Sequence, residues 1–148
     1  MPARRVHTIR KSFAQLARHE HVAGLVFYRR LFERAPELKP MFKGDIELQA
    51  KKLLEMLGVL IAMLERPHGL ELELKAMGAR HAGYGVKDEH YAVVGQALLD
   101  MLGETLDGDF TPDVREAWTW LYGAVESTMR AGAKELTEEE LRSMREKR

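Results

Sequence analysis

Apolar residues recur every three or four positions along nearly the whole chain and alternate convincingly nowhere. That spacing constrains the fold more than any other feature, because a 3.6-residue repeat gathers side chains on one face of a helix, whereas a strand needs a period of two. Val6, Ile9, Phe13 and Leu16 mark a first helix; Val22, Leu25, Tyr28, Leu31 and Phe32 mark a second, interrupted by Pro36. The corner APELKPMFKGD (35–45) carries a single aromatic ring, Phe42. From Asp45 a third helix turns Ile46, Gln49, Leu53, Met56, Leu57, Leu60 and Met63 inward, until RPHG (66–69) breaks it. Leu70, Leu74, Met77 and His81 share the face of a fourth, stopped by Gly83 and Gly85. Asp88 is placed to cap a fifth, with Tyr91, Val94, Leu98 and Met101 inside. GETLDGDF (103–110) reads as a turn region. Thr111-Pro112 reads as a cap and a first helical residue, opening a last helix that buries Val114, Trp118, Leu121, Val125 and Met129. The expected fold is all-α.

At 148 residues the chain suits one domain with a substantial core. Its 23 basic and 23 acidic residues cancel, so no electrostatic case for nucleic acid or an anionic membrane arises. With no cysteine there is neither a disulfide nor a thiolate site, which fits a cytoplasmic protein. MPARRVHTIRKSF at the N-terminus has no signal-peptide core, and the oily stretch LLEMLGVLIAML (53–64) is too short to span a bilayer. Residues 1–133 are expected to form the domain. Residues 134–148 read as a charged, partly helical or disordered tail whose acids precede its bases.

Three polar residues fall on apolar faces: Tyr28, Gln49 and His81, each on a different helix. A buried hydroxyl, amide or imidazole without a partner costs on the order of 1–3 kcal/mol, so each needs something to receive it. Taken singly, each has an ordinary explanation as a satisfied core or rim residue. His7, His19, His21, His68 and His90 have polar surroundings and read as surface residues. No nucleotide loop, HExxH, calcium loop or Glu-x-x-His pair is present. One inward nitrogen in an oily helical setting suits a large apolar cofactor carrying its own metal better than a bare ion.

The chain resembles a bacterial single-domain globin, related to the globin part of flavohaemoglobins, over about residues 4–133. FYRRLFERAPELKPMF (27–42) looks like that family's second helix and corner, and DIELQAKKLLEMLGVL (45–60) like its distal helix. GARHAGYGVKDEHYAVVGQALL (78–99) looks like its proximal segment, and AWTWLYGAV (117–125) like its last helix. The resemblance implies a globin fold around haem b (iron protoporphyrin IX), with His81 as the proximal iron ligand. Its second nitrogen would donate to a backbone carbonyl such as that of Met77. It further implies Phe42 stacked on the porphyrin, Leu53, Leu57, Val86, Tyr91 and Val94 as walls, and Lys52 and Arg80 at the propionates. Tyr28 and Gln49 become the distal ligand-binding pair.

The function so implied is reversible, high-affinity binding of oxygen at five-coordinate ferrous iron, for storage, transport or scavenging. Nitric oxide and carbon monoxide are further ligands, and the expected assembly is a monomer or homodimer. A second function is nitric oxide dioxygenase activity. Flavohaemoglobins carry a fused reductase, but here a short tail follows the globin segment, so turnover would draw on a separate reductase. Those relatives also place a glutamate late in the last helix, linked through a tyrosine to the histidine. Tyr91 fits the tyrosine, whereas the count from Tyr122 puts Ala133 where the acid belongs, and Glu126 and Glu135 fall elsewhere. A third reading is a globin-fold sensor or interaction module, with or without haem.

Overall fold

The computed structural model describes residues 2–42, 44–83 and 87–135. They form six helices: α1 (Pro2–Ala17), α2 (Glu20–Arg34), α3 (Ile46–Ala62), α4 (Pro67–Gly83), α5 (Asp88–Leu106) and α6 (Pro112–Glu135). Short 3₁₀ turns at Pro36–Met41, Met63–Glu65 and Asp107–Asp109 join them, and no strand occurs among the described residues. Several starts obey the expected chemistry. The Asp45 carboxylate accepts from the Glu47 N–H at 2.9 Å, and Thr111 Oγ1 accepts from the Val114 N–H at 3.3 Å ahead of Pro112. Pro67 opens α4 at its first position, where the missing N–H costs nothing, so RPHG belongs largely to a new helix.

The expected inner faces bury, with exceptions that have physical reasons. Val22 is 54% exposed, because it lies in the first turn of α2, ahead of Gly24 where α2 meets α3. Residues 103–106 continue α5 instead of turning; the chain bends after them, at Asp107, which takes a positive φ of 49°. Asp88 is the first residue of α5 and not its cap. The Lys87 N–H donates instead to His90 Nδ1 at 3.0 Å. His90 is therefore 6% exposed and not a surface residue: the local polar sequence concealed a side chain folded back on its own helix start.

The main core joins Ile9, Leu16, Phe27, Leu31, Leu54, Leu98, Met101, Leu102 and Trp118 across five helices. The indole N–H of Trp118, wholly buried, donates to Ser12 Oγ at 2.7 Å, and that hydroxyl lies 2.7 Å from the Thr8 carbonyl. A second cluster joins Leu60 near the end of α3 to Leu74 and Met77 of α4, Tyr91 of α5 and Met129 of α6. Packing is uneven: α2 lies along α3 and α5, and α4 along α6, while α3 and α4 meet through Leu60 and the second cluster. Among the described residues no helix is long and apolar enough to cross a membrane.

Candidate functional site

One side of the site is built where α2 crosses α3. A Cβ on Gly24 would overlap Ala50, so the absent side chain is what lets the two backbones approach. Tyr28 follows Gly24 by one turn and Gln49 adjoins Ala50, so both are carried from the same crossing. Tyr28 is 7% exposed and ringed by aromatic edges: Phe27 at 5.0 Å, Phe42 at 5.2 Å and Phe32 at 6.0 Å between centroids. Burial pushes its pKa up to about 12, and among the described residues its hydroxyl has no hydrogen-bond partner. The phenol is thus held neutral, as a donor. These surroundings do nothing to favour the phenolate.

Along α3 the apolar residues divide into two stripes. Ala50, Leu54, Leu57 and Ile61 are buried in the body of the fold, whereas Ile46, Gln49, Leu53 and Met56 are half-buried on its flank. Phe42 and Val94 are likewise half-buried hydrophobics at the edge of the main core. Leu53, Phe42 and Val94 therefore offer partly uncovered apolar surface, while Leu57 is committed to the core.

On the other side, His81 sits in the last turn of α4, half-buried. Its Nδ1 lies 2.7 Å from the Met77 carbonyl oxygen. A carbonyl only accepts, so Nδ1 carries a proton and donates it, and Nε2 is the ring nitrogen that could hold a metal. Met77 is buried in the second cluster beside Tyr91, which anchors the accepting carbonyl. The basic residues expected at the rim are both exposed. Arg80, which the resemblance places at the propionates, pairs with Glu73 two turns back on its own helix at 3.4 Å, a competing carboxylate. Lys52 stands on the outer surface of α3. Val86 and residues 136–148 lie outside the described residues.

Three features escaped the sequence reading. Helix-interior glycines mark the crossings, Gly24 on α2 and Gly78 on α4; their signal was the cost of about 1 kcal/mol that glycine carries inside a helix. Arg130 places its guanidinium 5.2 Å over the Tyr91 ring and pairs with Glu126 at 3.4 Å. Burial raises the pKa of both Tyr91 and Tyr122; Arg130 opposes the rise in each, and Glu126 adds to it, as the smallest contribution at Tyr91.

The donor set fits haem. It offers one imidazole with a committed tautomer, an aromatic corner, a flank of aliphatic side chains and a buried phenol that lacks a partner. No group of three His, Asp or Glu side chains that could hold a bare metal ion occurs among the described residues. Comparison with known proteins agrees in scale and shape. The Globin family model matches residues 25–129. A neuroglobin of Danio rerio is 32% identical over 138 residues, covering 84% of this chain and 87% of its own length. A flavohemoprotein of Rhizobium meliloti (strain 1021) is 32% identical over 129 residues, covering 83% of this chain but only 31% of that larger protein. Among solved structures, a hexacoordinated haem protein from an anhydrobiotic tardigrade superposes over 89% of this chain and 94% of its own with a TM-score of 0.80 at 19% identity, a likeness of fold. An engineered carbene transferase made from a putative nitric oxide dioxygenase of Rhodothermus marinus superposes over 89% of this chain and 92% of its own with a TM-score of 0.79 at 27% identity.

Proposed function

The chain belongs to the globin family, and from that premise we propose that it holds haem b between α3 and α4 and binds a diatomic gas reversibly, oxygen foremost. The observation that carries this reading is the hydrogen bond from His81 Nδ1 to the Met77 carbonyl at 2.7 Å, which fixes the tautomer an iron ligand requires and aims the ring. Haem would supply a ferrous iron able to take a gas molecule. Everything else falls to the side chains. His81 Nε2 would hold the iron, and Phe42, Leu53 and Val94 would cover the macrocycle and exclude water. Tyr28 and Gln49 would donate hydrogen bonds to a gas molecule taken up there. Each such donor contributes about 1.5–3 kcal/mol, roughly ten- to a hundredfold in affinity, so two make release slow.

A second reading is nitric oxide dioxygenation, favoured by the likeness to the flavohemoprotein and to the structure derived from a putative nitric oxide dioxygenase. Dioxygen and nitric oxide combine to nitrate and leave the protein oxidised by one electron, which a separate reductase would restore. The equal identity to a fish neuroglobin leaves the branch of the family open.

The test is an absorption spectrum of the haem-loaded protein, ferrous without oxygen and again after admitting air. A five-coordinate ferrous spectrum that converts to a stable oxygenated one is expected. Absence of haem bands in protein supplied with haem would overturn the proposal, and a six-coordinate ferrous spectrum would overturn its open distal side. Adding nitric oxide to the oxygenated form and measuring nitrate then separates the two readings.

A further inference from the structure

The C-terminal half of α6 touches both sides of the corner that bears His81. Toward α4 the contact is backbone on backbone: a Cβ on Gly78 would overlap the Met129 carbonyl, and one on Gly132 would overlap the Lys75 carbonyl. The two helices meet through reciprocal glycines one residue past Met77, whose carbonyl orients the imidazole. Toward α5, Arg130 donates to the Asp88 carbonyl at 2.8 Å in the first turn of that helix. Its guanidinium lies 5.2 Å over the Tyr91 ring, and the Tyr122 hydroxyl donates to the Tyr91 carbonyl at 2.5 Å one turn further on.

We propose that Arg130 is a positioning residue for the iron ligand. With α4 pinned at Gly78 and Gly132, Arg130 fixes the start of α5 to the same stretch of α6, so the end of α4 and the start of α5 share one support and the direction of His81 is set. The inference rests on the function proposed above and deepens it: His81 is held by α6, from behind, as well as by its own helix. Glu126 does not share the role. It pairs with the guanidinium at 3.4 Å but makes no bond to α5, so it steadies Arg130 without bridging the corner.

The experiment compares the iron–histidine stretching band of the haem-loaded, oxygen-free ferrous protein in the unmodified chain and in Arg130→Met, Arg130→Lys and Glu126→Gln, with thermal unfolding of each alongside. Arg130→Met keeps the volume of the side chain and removes its donors and charge. It is expected to displace or broaden the band and to speed haem loss to a scavenger by about threefold, the share left to a charged hydrogen bond on a half-exposed side chain. Arg130→Lys, which keeps a cation and a donor, should return the band part of the way, and Glu126→Gln should leave it in place. An unmoved band in Arg130→Met overturns the inference while leaving the proposed function standing. So does a displacement that Glu126→Gln reproduces in full. If the unmodified chain takes up no haem, the proposed function fails and this inference fails with it.

Discussion

Replacing Tyr28 by phenylalanine separates what the residue does for the fold from what it does for a ligand. The three ring contacts, to Phe27, Phe42 and Phe32, survive the change because only the hydroxyl is lost. That hydroxyl has no hydrogen-bond partner among the described residues, and it belongs to a residue only 7% exposed. Deleting it should change folding stability by less than about 1 kcal/mol, since no hydrogen bond within the fold is lost. For the ligand the sign reverses. A phenol donating to a partly negative gas molecule contributes about 1.5–3 kcal/mol, so oxygen should leave Tyr28→Phe roughly ten to a hundred times faster. Urea unfolding gives the first quantity, and stopped-flow displacement of oxygen by carbon monoxide gives the second. Tyr28→Ala serves as the contrast: it also removes the ring and should cost about 3–5 kcal/mol of stability. Tyr28→Phe with an unchanged oxygen release rate would refute the distal role. A loss of more than about 1.5 kcal/mol in stability would show that the hydroxyl serves the fold instead.

Alkaline unfolding tests the same burial from another side. Tyr28 ionises near 10.0 when unfolded and at about 12 when folded, so the folded chain retains a proton that unfolding releases. Its contribution is complete below pH 10.0 and is lost as pH rises toward 12, by about 2–3 kcal/mol; Tyr28→Phe should lessen that loss. Gly78→Ala should destabilise the protein by about 1–3 kcal/mol in urea unfolding, although alanine is the better helix former, because its Cβ overlaps the Met129 carbonyl; a neutral result would mean that α4 and α6 are not in backbone contact. Ser12→Ala should cost about 1–3 kcal/mol in thermal unfolding by leaving the buried Trp118 N–H without its acceptor, and pairing it with Trp118→Phe should recover part of that loss.

Helical periodicity made the architecture legible, and it also exposed the site, because Tyr28, Gln49 and His81 break an otherwise apolar stripe. The acceptor for His81 was readable too, since a carbonyl four residues earlier is within reach of any imidazole on a helix. What stayed hidden depends on elements distant in sequence. Nothing near Arg130 shows that its partners are the carbonyl of Asp88 and the ring of Tyr91, 42 and 39 positions away. His90 was misread for the opposite reason: its partner is three residues off, but a backbone N–H leaves no mark in a string of side chains. The position of Glu126 shows a limit of counting along a helix, because the count fixes which residue occupies a place and says nothing of which acid packs near it.

The crossing glycines show how the fold and the site are related energetically. Each of Gly24, Gly78 and Gly132 costs about 1 kcal/mol against alanine inside a helix, so three of them give up about 3 kcal/mol of local preference. If stability alone governed these positions, larger side chains and wider crossings would serve as well. The gain is geometric. Gly24 lets α2 close on α3 beside Tyr28 and Gln49, and Gly78 with Gly132 lets α4 close on α6 behind His81. Backbone contact leaves no side-chain rotamer to give way, so each crossing is stiffer than one cushioned by leucines. Stiffness matters most for groups that must aim: a phenol and an amide toward a ligand, an imidazole toward a metal. α3 and α4, which meet through Leu60, are each drawn closely against another helix, α2 and α6. The helices that carry Gln49 and His81 are therefore each set against a neighbour by a backbone crossing, so a cofactor held between them would meet groups on fixed helices.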